Sequence, residues 1–341
     1  MPAPTTSTST SRIGAIGILH ASVCTRPDSL LGRITQRGRW NAGLRQRHPG
    51  RPIRRWSDIR SRHVGAIITA DIGGTHCRAA QVEAGRITWR ASARTPASQG
   101  PHAVIDTLLE LLGPVRDRGL PVGVAIAGQV SAGDVTADHL LRGWHGFPLA
   151  DALSLRLSRP VAVYNDARAA AWGEYTAGAG RGVDEFLFVT VSSGVGAGLV
   201  LHGRLHLARN GLDAELGETL AGDGRTLEDH ASGTALNRRA AALGHADGPA
   251  LCDAADAGDP AAEAALRHGI WMLAAKLADL SVMLGLQRCA VGGGLGLRPG
   301  YLARLREAMQ ALPARYRCEL AAAELGADAG LLGAAALRQL A

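Results

Sequence analysis

The sequence predicts an α/β protein of two lobes, each built on a mixed sheet covered by helices. Three observations predict it. From Val64 onward short apolar strands alternate with helical stretches, the pattern of sheets flanked by helices. A strand that runs into a glycine-rich turn and out into a second strand occurs twice, at residues 66–82 and 186–202. The chain has 341 residues, enough for two domains that each bury a core.

Residues 1–63 open Ser/Thr-rich, continue Arg-rich, and lack the apolar periodicity that builds a core. They read as a basic, disordered tail or a non-native extension. The Arg/Ser bias also fits a transit peptide, the charge fits a DNA-binding arm, and a start at a non-Met codon near Val64 is the plainer alternative. This segment holds 12 Arg and 2 acidic residues, whereas residues 64–341 hold 25 basic and 28 acidic ones. The formal net charge of +7 therefore belongs to the tail. The rest of the chain carries no electrostatic footprint for nucleic acid or an anionic membrane surface.

In the first repeat, strand 66–70 ends in Asp71-Ile72-Gly73-Gly74-Thr75. The glycines let backbone approach a bulky anion and turn its N–H groups toward it, although the same pattern also makes ordinary hairpin turns. Strands 77–82 and 86–91 complete an antiparallel meander. Helix 101–112 follows, and strand 122–127 ends in Gly128. Strand 160–164 runs into Asn165-Asp166 and helix 167–175. The second repeat comprises strand 186–191, the turn 192–198 and strand 199–202. Helix 261–286 carries apolar residues at helical spacing, with Asp259-Pro260 at its start and Gly285 near its end. Strand 289–291 then runs into Gly292-Gly293-Gly294-Leu295-Gly296, where backbone can lie flat against a ring.

Several chemistries are excluded. Lys276 is the only lysine, so a P-loop with its phosphate-binding lysine is absent, and neither glycine run fits G-x-G-x-x-G. The five cysteines are scattered without a C-x-x-C pair, which points to a reducing, cytoplasmic compartment. No apolar run reaches the roughly 18 residues of a membrane span. Asp166 has two readings: part of a helix N-cap, or a base for a hydroxyl.

Taken together these residues resemble a known pattern. Asp71 to Thr75 is similar to the first phosphate motif, Thr190 to Gly198 to the second, and Val291 to Gly296 to the adenosine motif of the sugar kinase, actin and Hsp70 superfamily. Within it the chain resembles the ROK group over about residues 64–341, and most closely its bacterial N-acetylmannosamine kinases. The resemblance is carried by Thr95-Pro96-Ala97-Ser98-Gln99, Asn165-Asp166-Ala167-Arg168-Ala169-Ala170-Ala171-Trp172, Val189-Thr190-Val191-Ser192-Ser193-Gly194-Val195-Gly196 and Asp328-Ala329-Gly330-Leu331-Leu332-Gly333-Ala334-Ala335.

The resemblance implies a two-lobed actin-like fold, with lobes at 64–160 and 161–327 and a C-terminal helix, 328–341, returning to the first. It implies ATP-dependent phosphorylation of the 6-hydroxyl of N-acetylmannosamine, with glucose or N-acetylglucosamine as alternative substrates. Asp166 would be the base. Asp71, Gly73, Gly74, Thr75, Thr190, Ser192, Ser193, Gly194, Gly196, Gly292, Gly293 and Gly294 would hold ATP, with Asp71 reaching Mg²⁺ through water. Gly128, Asn165, Glu215 and Glu228 would join Asp166 on the sugar. A homodimer is implied, and neither nucleic acid nor membrane is an expected partner.

Two departures stand out. The family's structural zinc uses a His where this chain has Glu218, and three Cys where residues 222–226 have none, so zinc is not expected. An Asn that often contacts the sugar is replaced by Leu140, beside His139. Some members are sugar-sensing repressors, a reading that requires an N-terminal winged helix for which residues 1–62 lack the apolar pattern.

Overall fold

The computed structural model describes residues 65–136, 141, 143–208 and 212–340. The N-terminal tail, and His139 and Leu140, lie outside the described residues.

The first half contributes β1 (Ile67–Ile72), β2 (His76–Glu83), β3 (Arg86–Arg94), α1 (Pro101–Arg116), β4 (Val122–Ile126), the short β5 (Val130–Ser131) and β6 (Asp134–Val135), α2 (Leu149–Leu157), β7 (Val161–Asn165) and α3 (Asp166–Ala177). The second half contributes β8 (Phe186–Val191), β9 (Val195–Leu201), β10 (Arg204–Leu205), α4 (Leu227–Ala231), α5 (Gly233–Ala242), α6 (Gly248–Asp256), α7 (Pro260–Leu284), β11 (Arg288–Gly292), α8 (Tyr301–Gln310), β12 (Glu319–Ala322) and α9 (Ala329–Leu340).

Two five-stranded sheets result, ordered β3-β2-β1-β4-β7 and β10-β9-β8-β11-β12. In each, an antiparallel meander supplies three strands, and two further strands add in parallel to the first strand of the meander. The two halves therefore share one topology, and the glycine turns β1–β2 and β8–β9 occupy equivalent places. Position in the sheet explains the sequence patterns. Central β1 and β4 are almost wholly buried and rich in apolar residues, whereas edge strand β3 alternates along its length.

The expected lobe boundary at 160/161 is corrected by strand pairing. β7 pairs in parallel with β4, Val122 opposite Val161 through Ile126 opposite Asn165, so the first sheet ends at Asn165. A buried strand needs a ladder partner for its N–H and C=O groups, and β4 offers the free edge. The helix after it crosses over: α3 lies against β8 and β9, while α9 lies on β1 and β4. The two helices pack face to face between the sheets. Gly173 and Gly333 sit at the crossing, where a Cβ on either would meet backbone of the other helix.

The second hairpin is tighter than its glycines imply. β9 begins at Val195, not Leu199, with Val195 opposite Val191 and Gly196 opposite Thr190. Gly196 and Gly198 are strand residues whose missing side chains let α3 lie flat: a Cβ on either would press on Ala167 or Ala171. The long helix α7 is capped as expected. The Asp259 carboxylate accepts from the N–H groups of Ala261 and Ala262 at 2.8 and 3.2 Å, and Gly285 ends it at φ 66°.

Candidate active site

The three glycine turns meet at one cleft. Its volume is about 540 Å³, and Asp71, Gly73, Gly74, Thr75, Asp166, Thr190, Ser192, Ser193, Gly292, Gly293 and Gly294 line it. Each turn is held by the element behind it. In the first, the Gly73 N–H donates to the His76 carbonyl at 3.0 Å and Thr95 bonds the carbonyl of Gly73 through its hydroxyl at 2.6 Å and that of Thr75 through its N–H at 2.9 Å. In the second, the first N–H groups of α5 donate to the carbonyls of Ser192 and Ser193 at 2.7 and 3.1 Å. The third is pinned to the end of β8, where the Val191 carbonyl accepts from the N–H groups of Leu295 and Gly296, both at 3.0 Å. Gly293 adopts φ 84° there, and a Cβ on it would strike Val191. With their carbonyls bonded backward, the turns leave amide groups for an anion.

Asp166 and Asp71 face this cleft from the ends of β7 and β1. The two readings of Asn165-Asp166 resolve into separate residues. Asn165 is the N-cap of α3, its Oδ1 accepting from the Arg168 N–H at 2.8 Å, and its Nδ2 donates to the Gly128 carbonyl at 3.0 Å and to Asp166 Oδ1 at 3.2 Å. These bonds give Asn165 an orienting role toward Asp166. Asp166 is the first helical residue, and its Oδ1 also accepts from the Ala167 N–H at 2.7 Å. Burial, and after it the nearby Asp71 carboxylate, push the Asp166 carboxyl up to about 7, against the pull of its backbone hydrogen bonds. Burial likewise pushes Asp71 up, and Arg78 draws it part of the way back.

Arg78 is a cleft residue that sequence reading missed. It lies directly opposite Asp71 in the β1–β2 register and bonds its Oδ2 at 3.3 Å. Once a hairpin is assigned around Gly73-Gly74, pairing outward from the turn brings these two residues together, so the signal was available. His76, Leu297, Ala327 and Gly330 also line the cleft without a comparable signal.

The remaining candidates stand apart from the 540 Å³ cleft. Glu215 has a side-chain hydrogen bond to Gln129, and burial, followed by Glu218, pushes its carboxyl up. Its charge also adds, as the smallest contribution, to the rise of Asp166. Glu228, on α4, accepts from the Val195 N–H at 2.8 Å and occupies the space a Cβ on Gly194 would need. Gly194 and Gly196 thus serve packing around the second turn. Gly128, at φ 132°, serves through its carbonyl on Asn165.

The segment before Glu228 is braced without cysteines. Thr226 and Asp229 form a capping box, the Ala221 N–H donates to the Arg225 carbonyl, and buried His230 bonds Asp223 and His268, both at 3.1 Å. Among the described residues no cluster of three or more His, Cys, Asp or Glu is disposed to hold a metal. Magnesium makes a different demand, keeping several waters and taking one or two carboxylates together with phosphates. Asp71 and Asp166, close enough to repel each other's charge across a cleft lined with amides, fit that demand.

The sequence model of the ROK family matches residues 67–340. The chain belongs to the ROK family. It is 38% identical over 287 residues to an N-acetylmannosamine kinase of Shigella boydii, covering 80% of this chain and 98% of that protein. It is 35% identical over 333 residues to the bifunctional enzyme NanE/NanK of Brucella melitensis, covering 96% of this chain and 60% of that protein. The chain thus spans three-fifths of the Brucella relative, and the alignment reaches into residues 1–63. Among solved structures, a ROK family glucokinase from Streptomyces griseus in complex with glucose and AMPPNP superposes with a TM-score of 0.71 at 30% identity, covering 81% of this chain and 100% of that one. The ROK hexokinase from Thermus thermophilus gives 0.69 at 32% identity, with 79% and 96% covered. The duplicated mixed sheets of this ROK protein are therefore the two lobes of the actin-like fold.

Proposed function

We propose that this ROK protein is a sugar kinase that transfers the γ-phosphoryl group of ATP to the 6-hydroxyl of N-acetylmannosamine. The observation that carries the chemistry is Asp166: a carboxylate held by Asn165 and Ala167, raised to about 7, in a cleft lined by three glycine turns. A group of that basicity orients a hydroxyl and takes its proton as the phosphoryl group arrives. The identity to the Shigella N-acetylmannosamine kinase supports the choice of sugar.

In this reading the amides of the two hairpin turns hold the phosphates and the Gly292 turn receives the adenosine. Asp71 would hold Mg²⁺ through water, which supplies neutralisation of phosphate charge. Glu215 and Glu228 accept hydrogen bonds from sugar hydroxyls, a task suited to carboxylates because the bonds are charge-assisted. Closure of the lobes excludes water from the transfer.

A coupled ADP-release assay over a panel of hexoses and N-acetylhexosamines tests the proposal. N-acetylmannosamine is expected to give the highest kcat/KM, and Asp166→Asn to lose about 10²-fold or more of it. A preference for glucose or N-acetylglucosamine overturns the sugar assignment, and near-normal turnover of Asp166→Asn removes it from the base role.

A further inference from the structure

Arg168 lies two residues after the base, is not among the residues that line the cleft, and is buried. A buried guanidinium demands partners, and its partners come from both halves of the chain. Nη1 pairs with Asp213 Oδ2, in an ion pair whose side chains are only 11% and 9% exposed. Nη2 reaches the Val130 carbonyl of β5 at 3.5 Å. The other Asp213 oxygen accepts from the Ala208 N–H. One side chain thus touches the wall that carries Gly128 and Gln129 and the segment that carries Glu215.

The same residue supports the base from its main chain, since the Arg168 N–H closes the N-cap on Asn165, and Asn165 in turn bonds Asp166. Burial and then Glu218 push the Glu215 carboxyl up, and the Arg168 charge, with a hydrogen bond from Gln129, draws it part of the way back. None of these contacts involves the phosphate turns.

We infer that Arg168 is a positioning residue for the sugar: its guanidinium, clamped between Asp213 and the Val130 carbonyl, fixes the segment that carries Glu215 against the wall that carries Gly128 and Gln129. The inference rests on the kinase reading above. It adds a specificity determinant outside the lining of the cleft, where truncation acts on sugar affinity and leaves nucleotide affinity alone. Arginine suits the place because its planar fork serves two acceptors in different directions, which a lysine ammonium does with poorer reach.

The test is a split of kinetic constants in the full-length protein, using the best substrate from the sugar panel. Arg168→Met is expected to raise the sugar KM about tenfold or more, the penalty of one lost charge-assisted anchor, with the ATP KM unchanged within about twofold. Arg168→Lys recovers part of the sugar KM. Asp213→Asn, which keeps the shape and one acceptor, gives the same split with a smaller rise and serves if Arg168→Met does not fold. Equal rises in both KM values, or an unchanged sugar KM in folded Arg168→Met and Asp213→Asn, overturn the assignment. The kinase reading fails separately, on a wild-type protein that phosphorylates no sugar.

Discussion

Asp71 and Arg78 face each other across the first hairpin, paired in strand register and joined by a 3.3 Å ion pair at the mouth of the phosphate turn. The pair is partly exposed, with side-chain accessibilities of 16% and 39%, so it contributes little to stability. Its value is positional. A nucleotide entering between the turns brings phosphate charge to Arg78, the one arginine lining the cleft among the described residues. Arg78→Met is expected to lower kcat about 10²-fold or more, the loss typical of a missing transition-state donor, with the sugar KM little changed. Steady-state ADP release reads both constants, and an unchanged kcat removes Arg78 from the phosphoryl site.

The raised Asp166 carboxyl fixes a pH profile. Because Asp166 must be ionised to accept a proton, kcat/KM for the sugar is expected to rise with pH along a limb centred near 7. Asp71 is the second cause of that elevation. Asp71→Asn, followed on its residual turnover, therefore moves the limb to lower pH; a limb that stays in place separates the two carboxylates.

Stability follows the same group with a definite sign. The folded carboxyl lies above the ordinary aspartate value of 3.8, so the folded state binds the extra proton. Its contribution is fully present below about 3.8 and is lost as pH rises through about 7. Asp166→Asn, which never ionises, is expected to be more stable than wild type at pH 8, by on the order of 2 kcal/mol once water in the cleft is allowed for. The gain shrinks at pH 5. Thermal melts at the two pH values measure the difference, and equal gains at both disconnect the effect from ionisation.

How far the sequence carried the reading depended on whether a feature was local. The glycine turns, the cap of α7 at Asp259 and Gly285, and the strands ending in Asp71 and Asp166 were legible because each is set by a few consecutive residues. The boundary after Pro160 was not, because only pairing with β4 shows that β7 closes the first sheet. The start of β9 was misplaced for a related reason: Gly196 and Gly198 read as turn until α3 is laid against them. Helices α5 and α6 are short and Ala-rich, with a weak apolar stripe that became meaningful only against α7. Arg168 illustrates the limit at the site. In sequence it is a helix-surface arginine, and its two partners lie 38 and 45 residues away.

The helix crossing between the sheets is a further point of sensitivity. Gly333 of α9 meets the Ala169 carbonyl and Gly173 of α3 so closely that a methyl group has no room. Interiors packed this tightly relax only by moving backbone. Gly333→Ala is expected to destabilise by about 1–3 kcal/mol as an overpacked site, although alanine is the better helix former. A melting temperature at or above that of wild type places the close approach elsewhere.

His230 and His268 supply the last prediction. They bond each other at 3.1 Å, with Asp223 on the far side of His230 and the Arg239 guanidinium close enough to add repulsion. Burial first, then Arg239 and His230, hold the His268 imidazole below the ordinary histidine value of 6.5. A depressed histidine favours the neutral form in the fold, so its contribution is present above 6.5 and is lost as pH falls through that value and below. Protonating His268 also sets a positive charge against the Arg239 guanidinium beside α4, the helix that carries Glu228. His268→Gln keeps a polar group that cannot ionise in this range. It is expected to be less stable than wild type at pH 8 but to lose less on acidification to pH 5, and to show a flatter rise in sugar KM over the same interval. Parallel melting curves for the two proteins across that interval would detach the brace from the imidazole charge.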